Sequence, residues 1–385
     1  MDFKLTEEQS MMRDMFRDFA EREVKPLAAE IDEQERFPKE TVKKMAELGL
    51  FGIPVPEEYG GQGADILTYI LCVEELCRCC ATTGLIVSCH TSLCVDPILR
   101  YGTEEQKRKY LPGLASGELL GAFALTEPGA GTDASRQQTT ARLTEEGYVL
   151  NGSKCFITNG EVGDVYIVFA MTDRSLGNKG ISAFIVEKGT PGFSFGAHER
   201  KMGIRASSTC ELVFEDCLIP KENLLGAEGK GFGIAMATLD GGRIGIAAQA
   251  LGIAEGAIAE TLNYTSERVQ FGKKISQFQN TQFKMADIYA QTEAARFLVY
   301  SAACKKQEAV SNPKVRYSVE AAMAKLVAAE NASRVTNVCL QFFGGYGFSR
   351  DYPIERMLRD ARVTEIYEGT SEVQRMVISA SLGMK

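Results

Sequence analysis

Arg362-Val363-Thr364-Glu365-Ile366-Tyr367-Glu368-Gly369-Thr370-Ser371-Glu372 joins two helical patterns near the C-terminus. One pattern, over 352–362, leads in with charged faces, and the other, over 371–382, leads out. Gly369 opens backbone angles closed to other residues. Thr370 or Ser371 can cap the following helix by accepting a backbone N–H. Glu368 is therefore placed at a break between helices, beside Tyr367 and the apolar Ile366. A carboxylate shielded by apolar groups ionises less easily, which suits a general base working near neutral pH. The tetrapeptide also fits a surface Glu in a turn, and alone it favours that plainer reading.

Working outward, residues 231–385 read as an Ala-rich helical section. Its periodic stretches over 243–264, 280–306 and 315–340 predict an antiparallel bundle. Residues 121–230 change period. Short β-prone runs over 148–150, 155–158, 165–170, 181–186 and 210–214 are separated by turn residues such as Asn151-Gly152 and Asn159-Gly160. They do not alternate with helices, so an antiparallel barrel-like domain is expected rather than a parallel βαβ sheet. Residues 1–120 read as helices. Thr6 with Gln9 and Thr103 with Gln106 fit capping boxes. Met12, Met15, Phe16 and Phe19 share one face. Pro38 can open a helix and Gly49 close it, further helical runs cover 65–80 and 84–99, and Pro112-Gly113 are expected to end the run after Thr103. The predicted class is multidomain α+β: an N-terminal helical domain, a middle antiparallel β-barrel-like domain and a C-terminal four-helix bundle.

A chain of 385 residues can bury a large core, and its net charge of −8 argues against a nucleic-acid or anionic-membrane partner. No apolar run approaches the ~20 residues of a membrane helix. The opening Met1-Asp2-Phe3-Lys4 resembles neither a signal nor a transit peptide, so a cytoplasmic protein without membrane insertion is expected. Eleven cysteines accompany only two histidines, His90 and His198. Free buried thiols, with no metal, are the expectation.

Gly129, Gly131 and Ala134 fit the G-x-G-x-x-A dinucleotide fingerprint, but a Pro precedes them and strands follow, so the context is wrong for it. The loop can still bring backbone N–H groups to a ligand, with Thr126 and Thr132 adding hydroxyls. An ordinary turn of a β domain fits it equally. Phe156 and Thr158 share one face of a strand, where a planar group could stack and be hydrogen-bonded, or simply half-bury the strand. Asp240-Gly-Gly-Arg243 sits where strands hand over to helices, and Arg243 there is either an oxygen ligand or a surface Arg at a helix start. Arg268, Gln270, Phe271, Phe278 and Gln279, with two lysines between, combine fork donor, aromatics and amides that suit a nucleotide diphosphate. Gln341 to Gly347 then breaks the last long helices, and a C-cap explains one of Gly344 and Gly345 more easily than both.

Taken together, Thr126-Glu-Pro-Gly-Ala-Gly-Thr-Asp133, Phe156-Ile-Thr-Asn-Gly160, Gln270-Phe-Gly272, Gln341 to Gly347 and Ile366-Tyr-Glu-Gly-Thr370 resemble the acyl-CoA dehydrogenase family over essentially the whole chain. The short-chain, butyryl-CoA branch is the most similar. The resemblance implies bound FAD, an acyl-CoA substrate, electron exchange with an electron-transferring flavoprotein, and a homotetramer built as a dimer of dimers. It implies Glu368 as the catalytic base, with its N–H on the thioester carbonyl. Phe123, Leu125, Thr126, Gly131, Thr132, Phe156, Ile157 and Thr158 match cofactor contacts. So do Gln270, Phe271, Phe278, Thr370 and Glu372, while Arg268, Gln279, Gln341, Gly344 and Gly345 match groups that reach a neighbouring subunit's FAD. Thr132, Asp240, Arg243, Tyr367 and Gly369 match substrate contacts.

Two positions depart from relatives. Phe156 stands where many carry Trp, keeping the stacking face without the indole donor. Gly242 stands where other branches place the base, which leaves Glu368 for that role. Competing expectations are an acyl-CoA oxidase, a dehydrogenase for a branched short acyl chain, and a non-catalytic helical scaffold that has lost the cofactor.

Overall fold

The structure is a computed structural model that describes residues 4–384, so the reading of Met1 to Phe3 lies outside the described residues. Seven α-helices come first: α1 (Glu7–Phe19), α2 (Ala28–Gln34), α3 (Lys39–Glu47), α4 (Ile66–Cys79), α5 (Ala81–Cys89), α6 (Asp96–Tyr101) and α7 (Glu104–Ser116). Both expected capping boxes form: Thr6 Oγ1 accepts the Gln9 N–H at 3.1 Å, and Thr103 Oγ1 accepts that of Gln106 at 3.2 Å. Pro112 does not end α7. The buried Leu111, Leu114 and Ala115 carry the apolar face past it, so packing outweighs the lost hydrogen bond, and Gly117 in the left-handed region closes the helix.

One sheet follows, from β1 (Gly121–Ala124), β2 (Thr140–Leu143), β3 (Tyr148–Thr158), β4 (Val165–Met171), β5 (Ile181–Glu187), β6 (Phe193–His198), β7 (Thr209–Ile219) and β8 (Leu224–Leu225). Its order is β6-β7-β3-β2-β4-β5-β8, with β1 beside β4. Pairing is antiparallel except β1 with β4 and β2 with β4. The strand β4 is buried on both faces. Val165, Ile167, Phe169 and Met171 enter a core shared with the helices, while Tyr166, Val168 and Ala170 enter one on the other side of the sheet. Asn151-Gly152 is not a turn. It lies inside β3 at a bulge, with Asn151 paired to Thr140.

The chain then forms α8 (Gly231–Glu267), the hairpin β9 (Val269–Gln270) and β10 (Lys273–Lys274), α9 (Gln279–Ser311), α10 (Ser318–Phe343), α11 (Gly345–Phe348), α12 (Ile354–Val363) and α13 (Ser371–Ser381). Helices α8, α9 and α10 pack together, and α12 and α13 lie on α10. The long α8 begins earlier than its periodicity implied, so Asp240 to Arg243 lie inside it rather than at its start. Its glycines bring α4 close: a Cβ at Gly252 would lie 2.2 Å from the Glu74 carbonyl, and one at Gly256 would lie 2.2 Å from that of Arg78.

All eleven cysteines are free, and ten are buried, with Cys304 exposed. Among the described residues no helix is long and apolar enough to cross a membrane. The architecture is the expected one, helices on either side in sequence of a middle β-sheet domain.

Candidate active site

The turn between α12 and α13 carries the site. Glu368 has φ +55° and Gly369 φ +91°, two left-handed residues in succession. For Glu this backbone is strained by about 1–3 kcal/mol, so surrounding contacts have to hold it. Thr370 is the cap of α13: its Oγ1 accepts the Val373 N–H at 3.4 Å. The Ser371 N–H closes the turn on the Glu365 carbonyl at 2.9 Å.

Three side chains grip the turn's carbonyls. Arg243 Nε on α8 and Gln374 Nε2 on α13 donate to the Glu368 oxygen at 3.4 and 3.3 Å. Lys325 Nζ on α10 and Gln374 Nε2 donate to the Gly369 oxygen, both at 2.8 Å. Arg243 is itself fixed by Asp240, its Nη1 lying 2.7 Å from Oδ1, and Ser318 Oγ holds the other Asp240 oxygen. Tyr367 donates its hydroxyl to Gln249 Oε1, and the Gln249 amide reaches the Ala81 carbonyl.

With its carbonyls engaged, the turn leaves other groups free. The Glu368 N–H has no acceptor among the described residues. Glu368 keeps some exposure as a residue, yet its Oε2 is buried and unpartnered, as are Ser371 Oγ and Gln374 Oε1. Buried polar atoms are seldom left unpaired, and three of them lie within seven residues here. Burial pushes the Glu368 carboxyl up to about 7, against the opposing pull of Arg243 and Lys325. The carboxylate faces Leu93 and the bare Cα of Gly242, where a Cβ would stand 2.9 Å from Oε2.

The loop at 126–133 and the strand end at 156–158 come together. The Cys155 N–H donates to the Thr126 carbonyl at 2.9 Å. Beneath them Lys154, fully buried, places its ammonium 2.7 Å from Glu127 Oε1, 2.9 Å from Gln137 Oε1 and 3.2 Å from the Leu125 carbonyl. Glu127 also accepts the N–H groups of Gln138 and Thr139. Burial lowers the Lys154 ammonium to about 8. Burial would raise the Glu127 carboxyl, but Lys154 outweighs it and holds the group below its usual range. Phe156 has φ +58° at a bulge of β3 and is 63% exposed, with Thr158 half-buried. Leu125 and Ile157 are buried, Phe123 packs edge-on to Phe169, and Gly131 and Thr132 are exposed. At Gly129, Gly131 and Gly345 a Cβ would meet nothing within 4 Å, and none of the three has a left-handed backbone. Neither packing nor conformation demands glycine there, and the backbone stays open to close approach.

A second group gathers elsewhere. Arg268, Gln270, Phe271 and Gln279 around the hairpin are exposed, as are Gln341, Gly344 and Gly345 at the end of α10. The Arg268 guanidinium lies 5.4 Å over the Tyr346 ring, which joins the two sets. Phe278 is half-buried, and Glu372 is exposed in the first turn of α13.

Sequence reading missed Lys325, Gln374, Gln249 and the Lys154–Glu127 pair. Lys325 had a signal: it interrupts a stripe of alanines, Ala321, Ala328, Ala329 and Ala332, that is buried along α10.

Comparison with known proteins covers nearly the whole chain. Family models described as the acyl-CoA dehydrogenase N-terminal, middle and C-terminal domains match residues 6–118, 122–217 and 229–383. A short-chain specific acyl-CoA dehydrogenase of Clostridium acetobutylicum is 61% identical over 382 residues, 99% of this chain and 100% of that one. The solved butyryl-CoA dehydrogenase of Megasphaera elsdenii superposes with a TM-score of 0.96 at 54% identity, covering 99% of this chain and 100% of that one. A chain from a structure described as an electron transferring flavoprotein of Acidaminococcus fermentans, studied for flavin-based electron bifurcation, gives a TM-score of 0.97 at 57% identity, covering 99% of each.

Proposed function

The chain belongs to the acyl-CoA dehydrogenase family, and from that premise we propose that it dehydrogenates short-chain acyl-CoA thioesters, or runs the reverse reduction, with Glu368 as the base. The observation that carries this reading is the Glu368 carboxyl: buried, unpartnered at Oε2, pushed up to about 7 and fixed on a strained turn.

Such a carboxylate is a stronger base than one in water, yet it is still substantially ionised near neutral pH. It takes the proton α to the thioester carbonyl. The free Glu368 N–H is placed to donate to that carbonyl oxygen, where negative charge develops. Arg243, Lys325 and Gln374 hold the turn so that base and donor keep one geometry. Asp240, Arg243, Thr132, Tyr367 and Gly369 are assigned to the substrate.

FAD supplies the hydride acceptor at the β-carbon. The residues present fit it: Thr126, Thr132 and Thr158 offer hydroxyls, Phe156 an exposed ring, and Gly129 and Gly131 an open backbone. Phe123, Leu125, Ile157, Thr370 and Glu372 are assigned to the cofactor as well. Gln270, Phe271 and Phe278 are assigned to the cofactor, and the exposed Arg268, Gln279, Gln341, Gly344 and Gly345 to the FAD of a neighbouring subunit. That assignment needs an oligomer, for which the expected homotetramer, a dimer of dimers, is proposed. Phe271, 95% exposed, and Phe283 and Tyr289, 60% and 56% exposed, support a covered face. Electrons are exchanged with an electron-transferring flavoprotein. A cytoplasmic location is also proposed, supported by the eleven free cysteines.

Glu368→Gln tests the base. The variant keeps its flavin colour and binds acyl-CoA, while anaerobic bleaching by butyryl-CoA slows by at least ~10²–10⁴-fold. Near-native bleaching would remove Glu368 from the chemistry.

A further inference from the structure

Lys325 has so far been given only a hydrogen bond to the turn, and its charge within the site has no assigned part. Its side chain is fully buried in the alanine stripe of α10, and its Nζ donates to the Gly369 carbonyl at 2.8 Å. An ammonium taken out of water and given one neutral oxygen is poorly compensated. Burial accordingly lowers it to about 8, and among the groups that resist this the leading one is Glu368. The charges facing it come from every neighbouring element: Glu368 in the turn, Arg243 on α8, Glu365 after α12 and Glu372 on α13. Glu368 in turn is faced by Arg243 and Lys325, with the thiol of Cys89 and the hydroxyl of Tyr367 also close.

These two cations are not equivalent. Arg243 is already paired with Asp240 through its Nη1 at 2.7 Å. Lys325 has no ion-pair partner of its own among the described residues and touches the turn that bears the base. Its hydrogen bond also helps hold the left-handed Glu368–Gly369 pair against relaxation.

We propose that Lys325 is a positioning residue for the reaction, whose buried ammonium clamps the Glu368–Gly369 turn and, beside Arg243, supplies a counter-charge to the base. This rests on the reading of Glu368 as the base. The physical consequence is directional. A nearby cation favours the ionised carboxylate, so removing it leaves the base protonated over more of the neutral range. When Glu368 takes a proton from substrate, Lys325 loses its anion, which favours returning the proton to water once product leaves.

The test compares Lys325→Gln and Lys325→Met with the wild-type holoenzyme, by anaerobic stopped-flow reduction of the bound flavin with butyryl-CoA from pH 5.5 to 9. Gln keeps a donor for the Gly369 carbonyl and drops the charge; Met drops both. In both variants the acid limb of the profile moves up by about one unit or more. The rate at pH 6.5 then falls roughly tenfold, and the Gln variant recovers to within about threefold of wild type at pH 9. An unmoved acid limb in the Gln variant overturns the proposal, as does a rate lost equally at every pH. Failure of both variants to retain flavin assigns Lys325 a structural role and overturns it too. Glu368→Gln is run in parallel: rapid bleaching there defeats the base assignment, whereas an inert Glu368→Gln with an unmoved Lys325→Gln profile defeats this proposal alone.

Discussion

Replacing Gly242 by Ala separates the needs of the fold from those of the chemistry. A Cβ at this position would stand 2.9 Å from Glu368 Oε2 and 2.8 Å from Leu93 Cδ2. Comfortable non-bonded separations are about 3.5–4.0 Å, so these atoms must retreat by roughly 0.5–1 Å. Both are the far ends of side chains, which limits the cost to the fold to about 1–3 kcal/mol of overpacking. Ala gains up to ~1 kcal/mol over Gly within a helix, and Gly242 lies well inside α8. The net change in stability is therefore about 2 kcal/mol or less. Function responds more sharply, because one of the displaced atoms belongs to the carboxylate proposed as the base. Misplacing a reacting group by about 1 Å costs on the order of 100-fold in rate. The expected result is a 10- to 100-fold slower anaerobic bleaching by butyryl-CoA, or ~1.4–2.7 kcal/mol in the barrier, with native flavin content. Stopped-flow absorbance gives the rate, and a thermal melt followed by flavin fluorescence gives the stability. A variant that melts normally and bleaches at the native rate would show that Glu368 does not work from this position.

Charge at Glu368 also weighs on the fold. Its carboxyl rises from 4.5 to about 7 on folding, so the folded chain holds a proton between those pH values that the unfolded chain has lost. Stability conferred at this site falls as pH rises through that window, by at most ~3 kcal/mol. Glu368→Gln should therefore melt higher than wild type at pH 8, with the gap closing towards pH 4.5; equal melting at both pH values refutes the burial argument. Lys154→Met leaves the Glu127 carboxylate buried without its cation, which costs about 3–5 kcal/mol. The N–H groups of Gln138 and Thr139 remain on Glu127 and favour the lower end. Urea unfolding measures the loss, and weaker flavin retention should accompany it because the loop at 126–133 is tied to β3 through this pair.

Signals confined to one turn of chain were legible. The capping boxes at Thr6 and Thr103, and the break at Gly369, are decided by neighbours within four residues, and each formed. Signals that tertiary contacts could override were misread. Pro112 and Asn151-Gly152 are breakers by local propensity, yet buried Leu114 and the pairing of Asn151 with Thr140 carry helix and strand through them. The grip on the Glu368 turn was least legible, since Arg243 and Lys325 approach it from two other helices, and no local pattern encodes those meetings.

Glycine shows why sequence spacing alone cannot settle such a site. Gly241 and Gly242 read as the handover from strands to helices, but a Cβ on Gly241 would lie 2.7 Å from Lys306 Nζ and one on Gly242 would crowd Glu368. Helix α8 runs through both because they admit charged side chains against its backbone, at a cost of about 1 kcal/mol each in helix propensity. Gly129, Gly131 and Gly345 have the opposite surroundings, with nothing within 4 Å of a Cβ. One residue type thus marks contact already made within the chain in α8, and room for contact with something outside it in the loops. Only the three-dimensional neighbours distinguish the two, and they divide the proposed site into the turn at Glu368, whose contacts the chain makes by itself, and glycines whose backbone is left open.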